Sequence, residues 1–305
     1  MSEWYSTLAP VDIEKVEKRL STAKEEDEII RIVHEYHPKG HSNLEPIKTL
    51  EEYFKYIRLT TTSHSWFRGE SHEHDSFIPK LYRKMDPDKI NTQLETERKY
   101  FYEFRRRSRS IVQNIEDNNY WSWYFLMQHY GGATRLLDWT TDAAVGLYMA
   151  LDTSHEKTEP AIVYTLSPTV LVNYAFNDIG KDSMLAPSVL YPGEDDSDLW
   201  IANIKGTSTT IPDSPISLLP AYSDPRIVAQ RSCFTLFGKR IDGFSKDEKE
   251  IVCNCCGRRI RNRIIIDGTK KNDLNKELAK IGVTSATVYP GLEGVTKELN
   301  QEFYA

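Results

Sequence analysis

Hydrophobic residues in the first half of the chain recur at the three- and four-residue spacing of amphipathic helices. Two such blocks, divided by the polar stretch STAKEED, lie within residues 11–36. The same spacing predicts a helix around residues 47–57, a long helix over residues 93–116 and a Trp- and Tyr-rich helix over residues 121–130. Two glycines follow the last of these, at the position where glycine commonly ends a helix. The first half of the chain is therefore predicted to be mainly helical.

Two short segments interrupt this helical half. The apolar run SWFRGE, residues 65–70, predicts a strand that ends at Gly69. The segment ATRLLDWTTD, residues 133–142, predicts a turn of the chain. Asp142, or one of the two threonines before it, is a candidate cap for the next helix. That helix is apolar all round, which is typical of a buried helix.

The second half of the chain is rich in β-branched and aromatic runs that end at Gly, Pro or Asp, as strands do. Four of these runs predict strands, over residues 161–166, 226–238, 260–267 and 285–290. A helix is predicted between the last two, over residues 272–282. Residues 177–225 are too long and too polar for an ordinary connection, so they predict an inserted subregion or a functional loop. This arrangement predicts the α+β class, with a helical first half packed on a mixed or antiparallel sheet from the second half.

A Pro- and Gly-containing segment, HPKGHSN, ends the first helical region. Residues 1–43 are therefore predicted to be a helical N-terminal extension, which lacks a cluster of residues typical of catalysis. Residues 44–305 are predicted to form one domain.

Composition and charge narrow the possible functions. The chain has 305 residues, 39% of them hydrophobic, which is enough for a substantial core. Its formal net charge of −6 excludes a globally basic nucleic-acid-binding surface, although it permits a local basic patch. No apolar run approaches the roughly 20 residues of a bilayer span, and the N-terminus lacks the basic and apolar regions of a signal peptide. We therefore expect a cytoplasmic protein without a membrane anchor.

The cysteines are confined to the second half, at positions 233, 253, 255 and 256. Four thiols suggest zinc, but the segment Cys253-Asn254-Cys255-Cys256 is too crowded for three ligands to converge on one metal ion. We expect no metal and predict ordinary reduced thiols, with zinc binding and a redox role as the alternatives.

An ordered set of motifs resembles one known family. The motifs are WFRGE at residues 66–70, FIPKLYR at 77–83, QHYGGATRLLDWT at 128–140, RIVAQRSCFT at 226–235, and Ile281-Gly282 leading to VYPGLEG at 288–294. Together they resemble the FRG-domain family, named for an aromatic-Arg-Gly tripeptide. The chain departs from the usual Gln-X-Gly of that family, because Arg231-Ser232 occupies the last two positions.

The aromatic-Arg-Gly tripeptide also resembles the opening motif of ADP-ribosyltransferases of the arginine–serine–glutamate type, whose arginine grips the phosphates of NAD. This resemblance implies NAD as a co-substrate and a phosphate-binding role for Arg68 beside Gly69. Gln128, Tyr130 and Arg135 are further candidates for cofactor binding. Both arginines have a structural alternative, an ion pair with a nearby carboxylate.

Three residues are candidates for catalysis. His129 suits general acid–base chemistry near neutral pH, since the reference pKa of histidine is about 6.5. Its alternative is a favourable position at the C-terminal end of a helix dipole. Gln230 and Glu293 follow predicted strands and are candidates to face the same cleft.

These features lead to a functional hypothesis with one main alternative. We expect a nucleotide-phosphate-binding enzyme, an ADP-ribosyltransferase-like toxin or anti-phage defence effector that modifies a protein or nucleic acid or hydrolyses NAD. The alternative is a non-enzymatic sensor of nucleotides or nucleic acid in a bacterial defence system. A third, weaker hypothesis is a scaffold whose motifs are purely structural. The basic string at residues 105–109 is either a nucleic-acid-facing ridge or a solvated helix face.

Overall fold

The structure is a computed structural model. It describes residues 10–11, 18–19, 22, 42–43, 45–61, 63–72, 77–83, 86–112, 115–151, 158–182, 186–193, 195–221, 224–241 and 261–304. The predicted helices within residues 11–36 lie almost wholly outside the described residues, as do Cys253, Cys255 and Cys256. Within the described residues, no helix has both the length and the hydropathy needed to cross a bilayer.

The described strands form one sheet in the order β1-β2-β8-β5-β3-β4-β7-β6. From β8 to β6 all neighbours are antiparallel, whereas the two-residue strands β1 and β2 add to the β8 edge in parallel. The strands are β1 Pro10–Val11, β2 Ser42–Asn43, β3 Trp66–Glu70, β4 Leu136–Thr140, β5 Ala161–Leu166, β6 Ile216–Leu218, β7 Ser232–Leu236 and β8 Arg261–Ile266.

The helices precede, separate and follow these strands. They are α1 Leu50–Thr60, α2 Ile90–Ser108, α3 Tyr120–His129, α4 Ala143–Ala150, α5 Pro168–Asp178, α6 Asp195–Asp198, α7 Ala202–Lys205, α8 Pro225–Ala229, α9 Lys271–Lys280, α10 Ser285–Val288 and α11 Leu292–Tyr304. Strands β5, β6 and β7 are buried along their whole length, because elements pack against both faces of the sheet.

The centre of the sheet is asymmetric. Strand β3 pairs with β5 through five consecutive residues, from Trp66 opposite Leu166 onward. It pairs with β4 at one position alone in the described ladder, Phe67 opposite Thr140. Beyond that position β3 and β4 diverge, and a cleft opens between them.

Helix α4 packs directly against β3, and this contact requires glycine at position 69. A Cβ atom there would lie 2.1 Å from the carbonyl oxygen of Gly146 and 2.3 Å from the backbone nitrogen of Ala150. Gly146 in turn faces β3, because a Cβ atom on it would lie 2.7 Å from the Cβ of Phe67. Gly69 therefore allows a helix to approach the sheet, which any larger side chain would prevent.

The predicted α+β class is confirmed, but three local predictions are wrong. Residues 133–142 do not simply turn the chain: β4 crosses the sheet there, with each of its residues buried except Asp138. Residues 226–229 are helical, because Asp224 caps the backbone N–H of Arg226 and Pro225 starts α8. Residues 285–288 are also helical, because Thr284 forms a capping box with Thr287. The sheet also includes four strands from the first half of the chain, β1 to β4.

Candidate functional site

A cavity of about 560 Å³ opens at the cleft between β3 and β4. Its walls come from these strands, from the C-terminal end of α3, from α8 and from β7. Its polar lining consists of charged and amide side chains, with His129 beside them: Arg68, Lys80, Arg83, Gln128, Asp138, Arg226 and Gln230.

Arg68 lies at the mouth of the cleft and bridges its two sides. Its Nε donates a 2.7 Å hydrogen bond to Glu70, two residues along β3. Its Nη1 donates a 2.6 Å hydrogen bond to the backbone carbonyl of Asp138 on β4. The side chain is 17% exposed. Arg68 thus forms an ion pair with Glu70, as the structural alternative predicted, and it also lines the cavity. A structural role and a ligand-binding role are therefore compatible.

Gln128 and Asp138 form the second part of the lining. The Nε2 of Gln128 donates a 3.0 Å hydrogen bond to the Oδ2 of Asp138. The Oε1 of Gln128 accepts from the hydroxyl of Thr134, which itself accepts from the backbone N–H of Leu136. This chain of hydrogen bonds joins the end of α3 to β4 and holds the Asp138 carboxylate at the cavity.

His129 lies at the C-terminal end of α3, with its Nδ1 3.7 Å from the Oδ1 of Asp224. That separation is longer than a hydrogen bond, but it is within the distance of an ion pair. Asp224 also accepts from the backbone N–H of Arg226 at the start of α8. The imidazole is 20% exposed, which leaves it accessible to a bound ligand.

Gln230 contributes a polar atom without a partner. The residue is 7% exposed and lines the cavity. Its Nε2 is buried and has no hydrogen-bond partner among the described residues. Most buried polar groups are hydrogen-bonded, so an orphaned donor at a cavity wall is one that a ligand can satisfy.

The lining is strongly cationic. Four of its side chains carry a positive charge, and they are Arg68, Lys80, Arg83 and Arg226. Asp138 is the single carboxylate among the described lining residues. The chain as a whole has a net charge of −6, so the cavity reverses the sign of the protein around it. A surface of this kind concentrates anions.

Three predicted site residues do not line this cavity. Arg135 is completely buried and pairs with Glu97 through a 2.9 Å contact, so its proposed role in cofactor binding is replaced by a structural one. Tyr130 is 71% exposed and contacts the His129 ring edge-on. Glu293 lies at the start of α11, beside a separate shallow depression.

Several residues that line the cavity were not among the site residues predicted from the sequence. All of the charged ones lie within the quoted family motifs, which therefore already contained them: Lys80, Arg83, Asp138 and Arg226. What the motifs do not reveal is which of their polar residues face the cleft. Tyr289 also lines it, with the guanidinium of Arg226 5.1 Å from its ring centre.

The described residues contain no group of three or more His, Cys, Asp or Glu side chains arranged to hold a metal ion. Cys233, the one described cysteine, is buried in β7. Burial raises the pKa of its thiol well above the usual range, and the Asp138 carboxylate adds to this effect. The Cys233 thiol is therefore an inert part of the core.

Comparison with known proteins supports the family suggested by the motifs. Residues 63–159 match the family model described as the FRG domain. The matched range includes Arg68, Gln128 and Asp138, and it ends before Gln230. No curated protein and no solved structure matches the chain at a significant level.

Proposed function

The chain contains an FRG domain, and we propose that the cavity between β3 and β4 binds the phosphate groups of a nucleotide and acts on that ligand as an enzyme. The observation that carries this proposal is the charge of the lining: four cationic side chains and one carboxylate line a cavity in an acidic chain. Guanidinium groups match phosphate geometry, because their planar nitrogens donate in parallel.

The position of the cations favours a ligand larger than free phosphate. Arg68 approaches the cavity from β3, Arg226 from α8, and Lys80 and Arg83 from the segment before α2. The volume of about 560 Å³ is within the range of roughly 300–1,000 Å³ typical of small-molecule sites. Phe125, Phe234 and Tyr289 supply aromatic surface to the same cavity. A nucleotide or dinucleotide matches both the cations and the aromatic surface, since it combines phosphate groups with a base that stacks on aromatic rings.

The resemblance to ADP-ribosyltransferases makes NAD the preferred ligand. The reaction we propose breaks the bond between nicotinamide and ribose and transfers the ADP-ribosyl group to a protein, a nucleic acid or water. His129 is the candidate to transfer a proton, because its imidazole is accessible beside the cationic lining and histidine is a common general acid–base residue. From the resemblance to the FRG-domain family we propose a toxin or antiviral-defence role, exerted in the cytoplasm.

The alternative is a sensor that binds a nucleotide without turnover. The same cations support it, because binding a phosphate needs no catalytic group. Nicotinamide release from NAD distinguishes these functions: we expect it from the enzyme, and its absence together with tight NAD binding would favour the sensor.

Isothermal titration calorimetry with NAD, ADP-ribose, pyrophosphate and the uncharged nucleoside adenosine tests the proposal. We expect the three anions to bind and adenosine to bind much more weakly. Arg226→Gln should weaken anion binding about 10- to 100-fold, since a charge-assisted hydrogen bond contributes roughly 1.5–3 kcal/mol. Arg107→Gln is the matched control, because Arg107 is exposed on α2 and pairs with Glu103 outside the cavity. Equal binding of adenosine and the anions, or no binding of any of them, would contradict the proposal.

A further inference from the structure

We propose that Asp138 recognises a sugar hydroxyl group of the ligand, so that the cavity selects phosphorylated ribosyl compounds over inorganic phosphates. This inference rests on the proposed function, because it assumes that the cations of the cavity bind phosphate. It assigns a specificity-determining role to Asp138 and a supporting role to Gln230.

Asp138 occupies an unusual position within the cationic lining. It is the exposed residue of an otherwise buried strand, and its backbone carbonyl accepts from Arg68 at 2.6 Å. Its carboxylate, however, forms no ion pair with any described cation of the cavity; its hydrogen-bond partner is the amide of Gln128 at 3.0 Å. No described cation therefore lies within ion-pair distance of this carboxylate.

The neighbouring hydrogen bonds fix the orientation of that amide. An ionised carboxylate only accepts, so the Nε2 of Gln128 faces Asp138 and its Oε1 faces Thr134. The Thr134 hydroxyl donates to that Oε1 and accepts from the backbone N–H of Leu136 at 3.2 Å. A neutral amide orients the carboxylate without neutralising it. One carboxylate oxygen is used in this way, and the acceptor capacity of the other remains for a ligand.

A carboxylate among phosphate-binding cations disfavours the binding of a phosphate, unless the ligand also brings a hydrogen-bond donor to it. A phosphate held by Arg68 would be repelled by the Asp138 carboxylate, because like charges in a partly desolvated cleft interact strongly. A hydroxyl group reverses the sign of that contact, since hydroxyl-to-carboxylate hydrogen bonds are short and strong. In a nucleotide the ribose hydroxyls are close to the phosphate, so one ligand can satisfy Arg68 and Asp138 together.

Gln230 complements this acceptor with a donor. Its Nε2 is buried at the same cavity and has no partner among the described residues. A hydroxyl group both donates and accepts, so a sugar with two adjacent hydroxyls can donate to Asp138 and accept from Gln230. Pyrophosphate offers no donor to the carboxylate when it is fully ionised.

The test is a thermodynamic cycle between the ligand hydroxyls and Asp138, measured by calorimetry on the whole chain in the presence of EDTA. The ligands are ADP, 2′,3′-dideoxy-ADP and pyrophosphate, and the proteins are the wild type, Asp138→Asn and Asp138→Ala. We expect the wild type to bind ADP about 10- to 100-fold more tightly than dideoxy-ADP, the effect of one hydrogen bond to a charged group. Both variants should lose most of this preference, and both should bind pyrophosphate as tightly as the wild type or more tightly.

Each failure has its own signature. If the wild type binds ADP and dideoxy-ADP equally, the hydroxyl recognition is wrong while phosphate binding stands. If it binds none of the three ligands, the proposed function itself is wrong. Replacing EDTA with magnesium adds one further outcome: pyrophosphate binding that magnesium strengthens in the wild type but not in Asp138→Ala would show that the carboxylate holds a cation, and it would overturn the inference. Unchanged melting temperatures in the two variants establish that altered binding does not reflect misfolding.

Discussion

The guanidinium of Arg135 lies 2.9 Å from the carboxylate of Glu97, and neither side chain is exposed to solvent. The other nitrogens of Arg135 donate to the backbone carbonyls of Phe237 and Trp200, at 2.7 Å each. Tyr124 donates to Glu97 and accepts from the backbone N–H of Arg135. Burial by itself acts to lower the pKa of Arg135, but Glu97 and the nearby tyrosines outweigh it and the pKa is raised. Arg135 therefore remains charged, and the network ties α2 and α3 to the start of β4.

Replacing Glu97 with glutamine should destabilise the fold strongly. The change leaves the Arg135 guanidinium buried without its counter-charge, and breaking a buried ion pair typically costs about 3–5 kcal/mol. Urea denaturation, followed by tryptophan fluorescence, measures the free energy of unfolding. We expect Glu97→Gln to lower it by that amount or to yield no folded protein.

Glu103→Gln is the matched control, because Glu103 lies on the same helix and its partners Arg106 and Arg107 are exposed. These arginines lower the pKa of Glu103 to about 2, yet solvent screening leaves such surface pairs with little effect on stability. The melting temperature of Glu103→Gln should match that of the wild type. Equal effects at the two positions would mean that the Arg135 pair does not hold the core together.

Gly69→Ala should destabilise the protein through a backbone clash. The added Cβ would lie 2.1 Å from the carbonyl oxygen of Gly146, so α4 must move away from β3. Overpacking of this kind costs roughly 1–3 kcal/mol or more. Gly180→Ala is a suitable comparison, since Gly180 has a φ of +72° but no atom within 4 Å of the added Cβ. A smaller loss of stability for Gly69→Ala than for Gly180→Ala would contradict this account of the tripeptide.

The elements with clear local signals could be predicted from sequence. Apolar residues recur at helical spacing along α9, which ends before Gly282, whose φ is +86°. Helix α3 similarly ends before Gly131, whose φ is +74°. In both cases the helix is followed by a residue in the left-handed conformation, which glycine adopts without strain. The glycine therefore predicts where the helix ends.

Strand β4 and helix α10 could not be predicted in this way. In β4 the residues on both sides of Asp138 are buried, so the two-residue alternation of a half-buried strand is missing. In α10 the residues Thr287 and Val288 favour a strand, and the capping box at Thr284 overrides that preference. Tertiary packing decides the first case and local capping the second.

The sequence motifs predicted part of the candidate site, but not which of their polar side chains face it. The motifs contain Arg68, Gln128, His129 and Gln230, and the structure brings these four residues to one cavity; whether they bind a ligand stays a prediction. Arg135 belongs to the same motif as Gln128, but it is directed into the core. Its partner could have been recognised, because Glu97 interrupts the apolar face formed by Leu94 and Phe101 on α2. A carboxylate at such a position needs a buried cation.

Gln230→Met should separate stability from binding. The Nε2 of Gln230 is buried and has no partner in the described part of the chain, and an unsatisfied buried polar group costs roughly 1–3 kcal/mol. Methionine has a similar shape and no polar hydrogen, so we expect the melting temperature to stay the same or to rise. Nucleotide affinity should fall about 10-fold, because the ligand loses one hydrogen-bond donor.

Gln128→Met is the control for that substitution. Both ends of the Gln128 amide are hydrogen-bonded, to Thr134 and to Asp138, so its loss should lower the melting temperature. A destabilised Gln230→Met protein would show that the Gln230 amide has a structural partner.

Arg68 and Glu70 allow the structural and ligand-binding roles of the tripeptide arginine to be measured separately. Arg68 donates from its Nε to Glu70 and from its Nη1 to the Asp138 carbonyl. Its Nη2 has no hydrogen bond to a described residue, so it is the donor that we expect a ligand to use. Arg68→Lys replaces this planar group with a point charge that cannot make all three contacts. We expect a modest loss of stability, about 1 kcal/mol, and a 10- to 100-fold loss of pyrophosphate and NAD affinity.

Glu70→Gln disturbs the same pair but keeps the guanidinium and removes a competing negative charge. It should cost comparable stability while leaving anion affinity unchanged or raising it. Calorimetry beside thermal denaturation of both variants gives the comparison. If both variants lose affinity only in proportion to their loss of stability, Arg68 serves the fold alone and the ligand is held by the other cations of the cavity.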